Sequence, residues 1–269
     1  MANPKNTLKL GWFSTGAGEG SQGLLLSALE AIESGVLNAE IEFIFCNREP
    51  TEDPATDSFI EIGSNHDIPV ISLSSRQFAK ERQARFADVR QEYDDAVLSR
   101  LSDFTAEICV LAGYMLVLST SICHKYRLLN LHPAKPSGPI GTWRDVIDTL
   151  IRDRATESGI MMHLATEEVD RGPVVSYCTF PIRDKHTEQY WSLLDSVEPH
   201  ENRLDFINGV KSNLFKLIRS MQLRYERPFF VETLRALANQ RISDTNMPQD
   251  LTNEVNRSIP QQDGNLSSH

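Results

Sequence analysis

The sequence has few basic residues for its number of acidic ones. It contains 27 Lys and Arg against 37 Asp and Glu, which gives a formal net charge of −10. This balance disfavours nonspecific binding to nucleic acid or to an anionic membrane, because both depend on clustered Lys and Arg. A small-molecule partner is therefore expected, with no nucleic acid and no membrane.

Long apolar runs are also missing. The first residues, "MANPKNTLKLGWFSTG", contain no run long enough for a signal peptide, and no later segment approaches the length of a membrane span. We therefore expect a cytoplasmic protein.

Cysteine is scarce and follows no pattern. Cys46, Cys109, Cys123 and Cys178 lie far apart, mostly in apolar surroundings. Their spacing fits neither a metal site nor the disulfide framework of a small secreted protein. We interpret them as reduced structural thiols and expect no metal.

The 269 residues, of which 40% are hydrophobic, suffice for one large or two small domains. The first half alternates short β-rich runs with helical periodicity, which is typical of parallel strands joined by crossover helices. The predicted strands are "LKLGWFS", "IEFIFCN", "IPVISL", "ICVLAG" and "LLNLH", and the predicted helices are 21–34, 57–66, 86–101 and 119–126.

The pattern changes after Gly141. A helix, "TWRDVIDTLIRD", precedes two strand-like runs, "GIMMHLA" and "PVVSYCTFPI", and the link between the runs is too short for a crossover helix. An antiparallel pair is therefore predicted. Residues 186–239 are helical in pattern, with "NLFKLIRSMQLRYE" and "FVETLRALANQ" as the clearest pieces.

The predicted fold is α/β, with a doubly wound, mostly parallel sheet flanked by helices and an antiparallel strand pair near its C-terminal part. We divide the chain into an α/β domain at 1–183, a helical extension packed on it at 184–242, and a polar tail at 243–269. The tail is poor in aromatic residues, so we expect it to pack weakly and its removal to change stability little.

A glycine-rich loop, "FSTGAGEGSQG", joins the first strand to the first helix. Glycine lets the backbone approach an anion, and the free N–H groups at a helix start face it. Gly18, Gly20 and Gly23 fit the dinucleotide pattern G-x-G-x-x-G, but the next strand ends in "CNREP" without an acidic residue placed for a ribose. Phosphate or phosphoribosyl binding, a nicotinamide cofactor and a simple tight turn remain open here.

The stretch "LLNLHPAKPSGPIG" places His132 at the end of a predicted buried strand. Three prolines and two glycines follow it, so the next segment is a stiff loop. The carboxyl ends of strands are where α/β proteins bind ligands, which makes His132 a candidate for chemistry. A histidine that only hydrogen-bonds a turn is the alternative.

Three stretches, "LAGYMLVLS", "LNLHPAKPSGPIG" and "SGIMMHLATEEVDRGPVV", together resemble the glycinamide ribonucleotide formyltransferase family and its wider group of folate-dependent formyltransferases. The resemblance covers residues 8–183. It rests on an Asn-x-His-Pro segment at Asn130 that is followed forty residues later by Asp170 in a Val-Asp-x-Gly-Pro segment.

The resemblance implies the roles of particular residues. The catalytic residues would be Asn130, His132 and Asp170, with His163 and Glu226 as supporting residues. The substrate phosphate would bind at Gly18, Glu19, Gly20, Ser21 and Gln22. The folate would contact Arg90, Tyr114, Met115, Leu116, Val117 and Leu118. The cosubstrate would be 10-formyltetrahydrofolate, and no metal is implied.

The chemistry of such a family explains these residue types. An amine attacks a formyl carbon, and negative charge develops on the formyl oxygen. A cationic His132 and the amide of Asn130 can hydrogen-bond that oxygen. Asp170 would favour the charged histidine and help to move a proton from the amine, through water, to the departing folate nitrogen.

Some residues depart from the family pattern. Leu116 stands where the family often has an arginine, "SQGL" replaces Ser-Asn-Leu, and Leu223 stands where a phosphate-binding lysine can occur, with Arg224 as a substitute. The acceptor is therefore open between glycinamide ribonucleotide and another amine such as an amino sugar. A formyltetrahydrofolate hydrolase and a non-catalytic binding protein on the same fold are the alternative functions. The oligomeric state is also open, with a homodimer as one candidate.

Overall fold

The structure is a computed structural model, and it describes residues 7–166, 170–196, 204–242 and 247–259. The strands in these ranges are β1 (Leu8–Ser14), β2 (Ala39–Cys46), β3 (Val70–Ser72), β4 (Ile108–Leu111), β5 (Arg127–His132), β6 (Glu157–Leu164), β7 (Val174–Pro181) and β8 (Gln249–Asp250). The helices are α1 (Glu19–Glu33), α2 (Pro54–Asn65), α3 (Ser75–Glu81), α4 (Phe86–Arg100), α5 (Thr120–Lys125), α6 (Trp143–Arg152), α7 (Glu188–Ser196), α8 (Leu204–Ala238) and α9 (Thr252–Ser258). No helix in the described ranges is long and apolar enough to cross a bilayer.

The strands form one sheet in the order β3-β2-β1-β4-β5-β6-β7-β8. The strands from β3 to β5 are parallel, β6 is antiparallel to both β5 and β7, and β8 is parallel to β7. The predicted α/β fold with a doubly wound, mostly parallel sheet and a C-terminal antiparallel pair is confirmed.

The sheet separates two apolar cores, and side chains of β1 alternate between them. Leu10 and Trp12 belong to the core under α1, α6 and α8, whereas Phe13 belongs to the core under α3, α4 and α5. Because both faces are covered, the central strands are mostly apolar, and the charged Lys9 of β1 pairs with Glu42 of β2. Fully burying a side chain such as Phe13 stabilises the fold by roughly 1.5–3 kcal/mol.

The helical extension contains one helix of 35 residues, α8, where the sequence predicts separate pieces. Pro228 lies inside this helix, although proline lacks an N–H group and its ring clashes with the preceding turn. Ile218 and Phe229 are fully buried on the two sides of Pro228, so tertiary packing holds the helix together across it. The helix packs against α1, α6, α7, β6 and β7.

The prediction that the residues from 243 onward pack weakly is wrong for 247–259. In this range β8 pairs with β7, and α9 follows it. Leu251 and Val255 are fully buried, and Ile259 is nearly so. The four-residue spacing of these apolar side chains places them on one side of the short helix. The remainder of the predicted tail, 243–246 and 260–269, lies outside the described residues.

The four cysteines are free thiols. Burial raises the pKa of Cys46 to about 11 and that of Cys178 to about 12, and it raises the pKa of Cys109 further. A buried thiol of raised pKa is a poor nucleophile, which agrees with the structural role predicted for these three cysteines.

Candidate active site

The carboxyl ends of β1, β4 and β5 lie side by side at one edge of the sheet, because these strands are parallel neighbours. Predicted site residues follow each strand. The chain leaves β1 into α1 on one face of the sheet and leaves β4 into α5 on the other. A crevice at such a switch in direction is where open α/β sheets bind ligands.

Four polar side chains from β5, β6 and the turn after β6 form one cluster. Asn130 lies opposite His163 in the antiparallel register of β5 and β6, and Asn130 Nδ2 is 3.1 Å from His163 Nε2. The same nitrogen is 3.3 Å from Asp170 Oδ1, and Asp170 Oδ2 is 3.7 Å from His132 Nδ1. The structure thus brings together all three predicted catalytic residues and the supporting His163.

The hydrogen-bond directions around His163 follow from its neighbours. His163 Nδ1 lies 3.0 Å from the carbonyl oxygen of Leu164, which can only accept, so Nδ1 carries a proton. Nε2 lies 3.1 Å from Nδ2 of the Asn130 amide and 3.6 Å from Asp170 Oδ1, and that amide also donates to Asp170. The rings of His132 and His163 are 3% and 2% exposed, so this network is shielded from water.

His132 closes the loop that follows it. Its Nε2 lies 3.0 Å from the carbonyl oxygen of Pro139, so this nitrogen donates its N–H back to the loop. The loop ends at a capping box in which Thr142 and Asp145 satisfy the first N–H groups of α6. This geometry agrees with the stiff loop that the sequence predicts around the histidine, and it leaves Nδ1 directed at Asp170.

Asp170 lies between β6 and β7, and its side chain reaches Asn130 of β5. Asp170 has a left-handed backbone with φ of 57°, a region that Asp and Asn enter more readily than most residues. Two residues later, a Cβ on Gly172 would overlap the carbonyl oxygen of Leu164, the last residue of β6. Only glycine fits at this close approach, which explains why a glycine stands two residues after Asp170 in the motif.

The surroundings lower the pKa of Asp170 below its ordinary value of 3.8. The hydrogen-bonding contact with His163 has the largest effect, partial burial opposes it, and attraction to His132 and His163 adds to it. The carboxylate is therefore ionised at neutral pH and is the negative group of the cluster.

We expect the stability that Asp170 contributes to be present at neutral pH and lost in acid. Its pKa is lower in the folded state than the value of about 3.9 in unfolded chains, so ionisation favours folding. This contribution is complete above about pH 5 and disappears as the pH falls through the folded-state pKa. The free energy of unfolding of the wild type minus that of Asp170→Asn, measured with urea from pH 7 downward, should decrease below about pH 4. A difference that does not vary with pH would contradict the lowered pKa.

The glycine loop leaves the start of α1 open. Gly16 and Gly18 have φ of 66° and 148°, which favour glycine. The first backbone hydrogen bond of α1 joins the Gln22 N–H to the Gly18 carbonyl oxygen, so the N–H groups of residues 19–21 precede the helical ladder. A Cβ on Gly20 would meet no atom within 4 Å. This end of the helix therefore has room and donors for an anion.

The predicted phosphate loop and the predicted folate segment touch each other. Thr15 donates its N–H to the Gly113 carbonyl oxygen at 3.1 Å, and its Oγ1 accepts the Met115 N–H at 3.1 Å. Gly113 has φ of 71°, and a Cβ there would lie 3.0 Å from Ser21 Cβ. The two candidate substrate sites are therefore parts of one continuous surface.

The segment 114–118 presents apolar surface and free backbone. Met115 and Val117 are 72% and 39% exposed, whereas Leu118 is buried. Within the described part of the chain, the backbone groups of Leu116 and Val117 make no hydrogen bond. A flat heterocycle whose edge carries donors and acceptors fits such a segment, so these residues suit the pteridine ring of a folate.

Tyr114 and Arg90 are placed differently from the other predicted folate residues. The ring of Tyr114 packs edge-on against Phe13 in the core, with 5.7 Å between ring centroids, so its backbone rather than its ring borders the pocket. Arg90 lies on α4 one turn before the buried Asp94, which accepts the Ser119 N–H. The buried Nε of Arg90 has no hydrogen-bond partner among the described residues.

The sequence predicts Glu226 as a supporting residue but gives no role to its neighbours Arg219 and Gln222, which reach the histidine loop from α8. Glu226 forms an ion pair with Arg219, with 2.7 Å between Oε1 and Nη1. Gln222, which lies between them, donates from Nε2 to the Pro133 carbonyl oxygen at 3.2 Å. The signal in the sequence was a pair of polar residues, four positions apart, that interrupts the buried apolar face of a helix.

The groups of this site suit hydrogen-bond and proton-transfer chemistry. An imidazole, an amide and an ionised carboxylate meet at one point. Among the described residues, no group of three or more His, Cys, Asp or Glu side chains could hold a metal ion.

Comparison with known sequences gives one family. The formyl transferase family matches residues 17–203, which is more than half of the chain. The phosphoribosylglycinamide formyltransferase of Dictyostelium discoideum is 26% identical over 196 residues, covering 65% of this chain and 90% of that protein. The phosphoribosylglycinamide formyltransferase of Escherichia coli (strain K12) is 32% identical over 99 residues, covering 35% of this chain and 45% of that protein. The chain thus aligns with less than half of the second relative.

Comparison with solved structures gives the same fold. Glycinamide ribonucleotide transformylase 1 from Symbiobacterium toebii superposes with a TM-score of 0.62 at 17% identity, covering 90% of this chain and 92% of that one. A formyltetrahydrofolate deformylase from Pseudomonas syringae pv. tomato superposes with a TM-score of 0.61 at 16% identity, covering 90% of this chain and 65% of that one. Both similarities concern the fold.

Proposed function

The chain belongs to the formyl transferase family, and from that premise we propose that it transfers a formyl group from 10-formyltetrahydrofolate to a primary amine, with glycinamide ribonucleotide as the acceptor. One observation carries the proposal. Asp170 joins His132 and Asn130 in a buried cluster at the edge of the sheet where ligands bind. The Dictyostelium discoideum relative, which aligns over 90% of its length, is named for this reaction.

His132 and Asn130 would stabilise the negative charge that develops on the formyl oxygen. His132 Nε2–H is bonded to Pro139, and Nδ1 faces Asp170 across 3.7 Å, which is too long for a direct hydrogen bond. Protonated at Nδ1, the ring has a second donor and a positive charge beside the Asp170 carboxylate. The cationic ring and the Asn130 amide would then stabilise the oxyanion, with an N–H that now faces Asp170 turning to the formyl oxygen when the substrates bind.

Asp170 would also handle the proton that the attacking amine releases. Its side chain is 12% exposed, so it borders the crevice while it contacts both histidines. A carboxylate in this position can accept the proton through a water molecule and pass it to the departing folate nitrogen. The folate supplies the activated formyl carbon, and the protein supplies the donors and the proton path.

The open start of α1 supports a phosphorylated acceptor. Gly20 has free space above it, and the N–H groups of residues 19–21 are available there. The guanidinium group of Arg227 on α8 packs over Gly23, one turn further along α1. Leu223 stands where the family can have a phosphate-binding lysine, and Arg227 lies one turn further along the same helix. Helix α8 therefore still places positive charge near the predicted phosphate loop.

We expect Gly20→Val to raise KM for glycinamide ribonucleotide about tenfold and to change kcat by less than about twofold. The added side chain would enter the open space in front of the helix start and crowd the phosphate. The matched control is Gly209→Val, because Gly209 is an exposed glycine of α8 with equally free space at its Cβ. Steady-state kinetics on the two variants measure the effect, and equal KM values for both would contradict a phosphate site at Gly20.

The same kinetics identify the acceptor. Glycinamide ribonucleotide should be formylated efficiently, and its unphosphorylated analogue should react much more poorly, because the analogue does not use the helix start. Equal rates for both would show that the glycine loop is only a turn. That result would favour a different amine, such as an amino sugar.

A formyltetrahydrofolate hydrolase is the second candidate, because a deformylase shares the fold over 90% of this chain. In that reaction water takes the place of the amine, and Asn130, His132 and Asp170 would serve unchanged. Turnover of 10-formyltetrahydrofolate with and without amine separates the two. A transferase requires the amine, whereas a hydrolase releases formate at the same rate in its absence.

A cytoplasmic location and a homodimer complete the proposal. Sedimentation velocity over a range of concentrations tests the assembly, and a species of monomer mass at all concentrations would contradict it.

A further inference from the structure

We propose that three side chains of α8 position the catalytic histidine loop, residues 132–142, and that Gln222 is the positioning residue that acts on His132. The three are Arg219, Gln222 and Glu226, which we call the α8 clamp. The proposal rests on the proposed function, because it concerns the geometry of the same reaction. It assigns a role to Gln222 and Arg219, which the family motif does not include.

The first contact holds the start of the loop. Gln222 is fully buried, and its Nε2 donates at 3.2 Å to the carbonyl oxygen of Pro133, the residue that directly follows His132. A buried amide is costly unless it is hydrogen-bonded. The apolar residues Ile218 and Phe229 occupy the same buried side of α8, so a polar side chain at 222 weakens an otherwise apolar contact. What this amide does in the structure is to fix the peptide plane of Pro133, next to the catalytic histidine.

The second contact holds the end of the loop. Trp143 is the first residue of α6 and directly follows the loop. The guanidinium carbon of Arg219 lies 4.6 Å from the centroid of the Trp143 ring, and that of Arg144 lies 4.2 Å from it. A cation over an aromatic face is attracted to it. The ring of Phe215, one turn before Arg219 on α8, packs against Trp143 with 5.7 Å between centroids.

The two contacts are joined through a single guanidinium group. Arg219 Nη1 donates to Gln222 Oε1 at 3.4 Å and to Glu226 Oε1 at 2.7 Å. Glu226 therefore fixes Arg219, and Arg219 in turn orients the Gln222 amide so that its Nε2 faces Pro133. The loop is held at both ends by two turns of one helix, and across its middle by the bond from His132 to Pro139.

This arrangement matters for rate because catalytic groups must be held within fractions of an ångström. A displacement of about 1 Å can lower turnover as much as a hundredfold. The His132 loop carries no regular secondary structure of its own between β5 and α6. Its position therefore depends on contacts from outside, and α8 supplies those at its two ends, while Lys135 pairs with Glu157 of β6 between them.

Gln222→Met tests the proposal, because methionine keeps the length of the side chain and removes the N–H donor. We expect kcat for formyl transfer to fall about tenfold, with KM for both substrates changed by less than about twofold. Backbone amides in the His132 loop should exchange with deuterium faster than in the wild type, whereas amides of β1 and β4 should exchange as before.

The matched control is Thr233→Val on the same helix. Thr233 and Ser176 share a buried hydrogen bond of 2.9 Å, so this variant also leaves a buried polar group without its partner. It should lower thermal stability to a similar extent but leave kcat and loop exchange at wild-type values. A second test variant, Arg219→Lys, keeps the charge next to Glu226 and loses the planar contact with Trp143. It should lower kcat less than Gln222→Met does.

The outcomes separate this proposal from the proposed function. Wild-type kcat and wild-type loop exchange in Gln222→Met, with only thermal stability lowered, would overturn the positioning role. Hydrogen exchange does not depend on turnover. If the wild type transferred no formyl group and Gln222→Met still loosened the loop, the proposed function would fail and the clamp would stand.

Discussion

Replacing Asp170 by asparagine is expected to lower kcat about a hundredfold or more while the protein stays folded. Asparagine has the same shape and tolerates the left-handed backbone of this position, where φ is 57°. It removes the negative charge that faces His132 Nδ1 and the group that accepts the proton of the amine. Steady-state turnover with 10-formyltetrahydrofolate and glycinamide ribonucleotide measures the loss.

A second aspartate provides the control for this substitution. Asp67 also has a left-handed backbone, with φ of 55°, but it is exposed and remote from the site. Asp67→Asn should keep wild-type turnover. His132→Ala should cost about as much as Asp170→Asn, and the double variant should be little slower than either single one, because the two groups act as a unit. Wild-type turnover in a folded Asp170→Asn protein would show that the assigned mechanism is wrong.

Shortening Leu251 to alanine is expected to lower the free energy of unfolding by about 2–5 kcal/mol, the usual cost of emptying a buried leucine site. Leu251 is fully buried between β8 and α9, and its N–H donates to the Tyr177 carbonyl oxygen on β7. Met247 is 90% exposed, so Met247→Ala should change stability by less than about 0.5 kcal/mol.

Urea denaturation followed by circular dichroism compares these two variants directly. Equal denaturation midpoints would mean that residues 247–259 do not pack on the sheet in solution. That result would support the prediction, made from the composition of this segment, that it packs weakly.

The strands and the catalytic cluster could be predicted because their signals are local or lie in short motifs. Runs such as "LKLGWFS" are mostly apolar, as strands buried on both faces of a parallel sheet are. Asn130 and His132 stand at the end of one such run, and Asp170 precedes a glycine that sterically has to be glycine. β5 places Asn130 and His132 at the carboxyl end of the parallel strands, and the antiparallel pairing of β6 with β5 brings Asp170 back to them.

The features that could not be predicted depend on contacts between distant parts of the chain. Proline usually ends a helix, and α8 continues through Pro228 only because both of its halves are packed. The strand β8 has two residues, too few for any periodicity. The bond from Gln222 to Pro133 joins residues 89 positions apart, so nothing near either residue indicates it. The backbone of Tyr114 borders the crevice, but only the core packing of Phe13 shows where its ring lies.

The position of β8 has a consequence for the order in which the molecule assembles. β1, at the centre of the sheet, is synthesised first among the strands, and its neighbour β4 is synthesised later. β7 is completed well before the residues of β8 exist. During that interval β7 is an edge strand with unpaired N–H and C=O groups, and such an edge readily recruits a strand from another chain. Parallel sheets with distant partners also form slowly, which prolongs the exposure. The short pairing of β8 with β7, covered by α9, therefore ends this exposure once the chain is complete, and it limits association between finished molecules through the β7 edge as well as stabilising the fold.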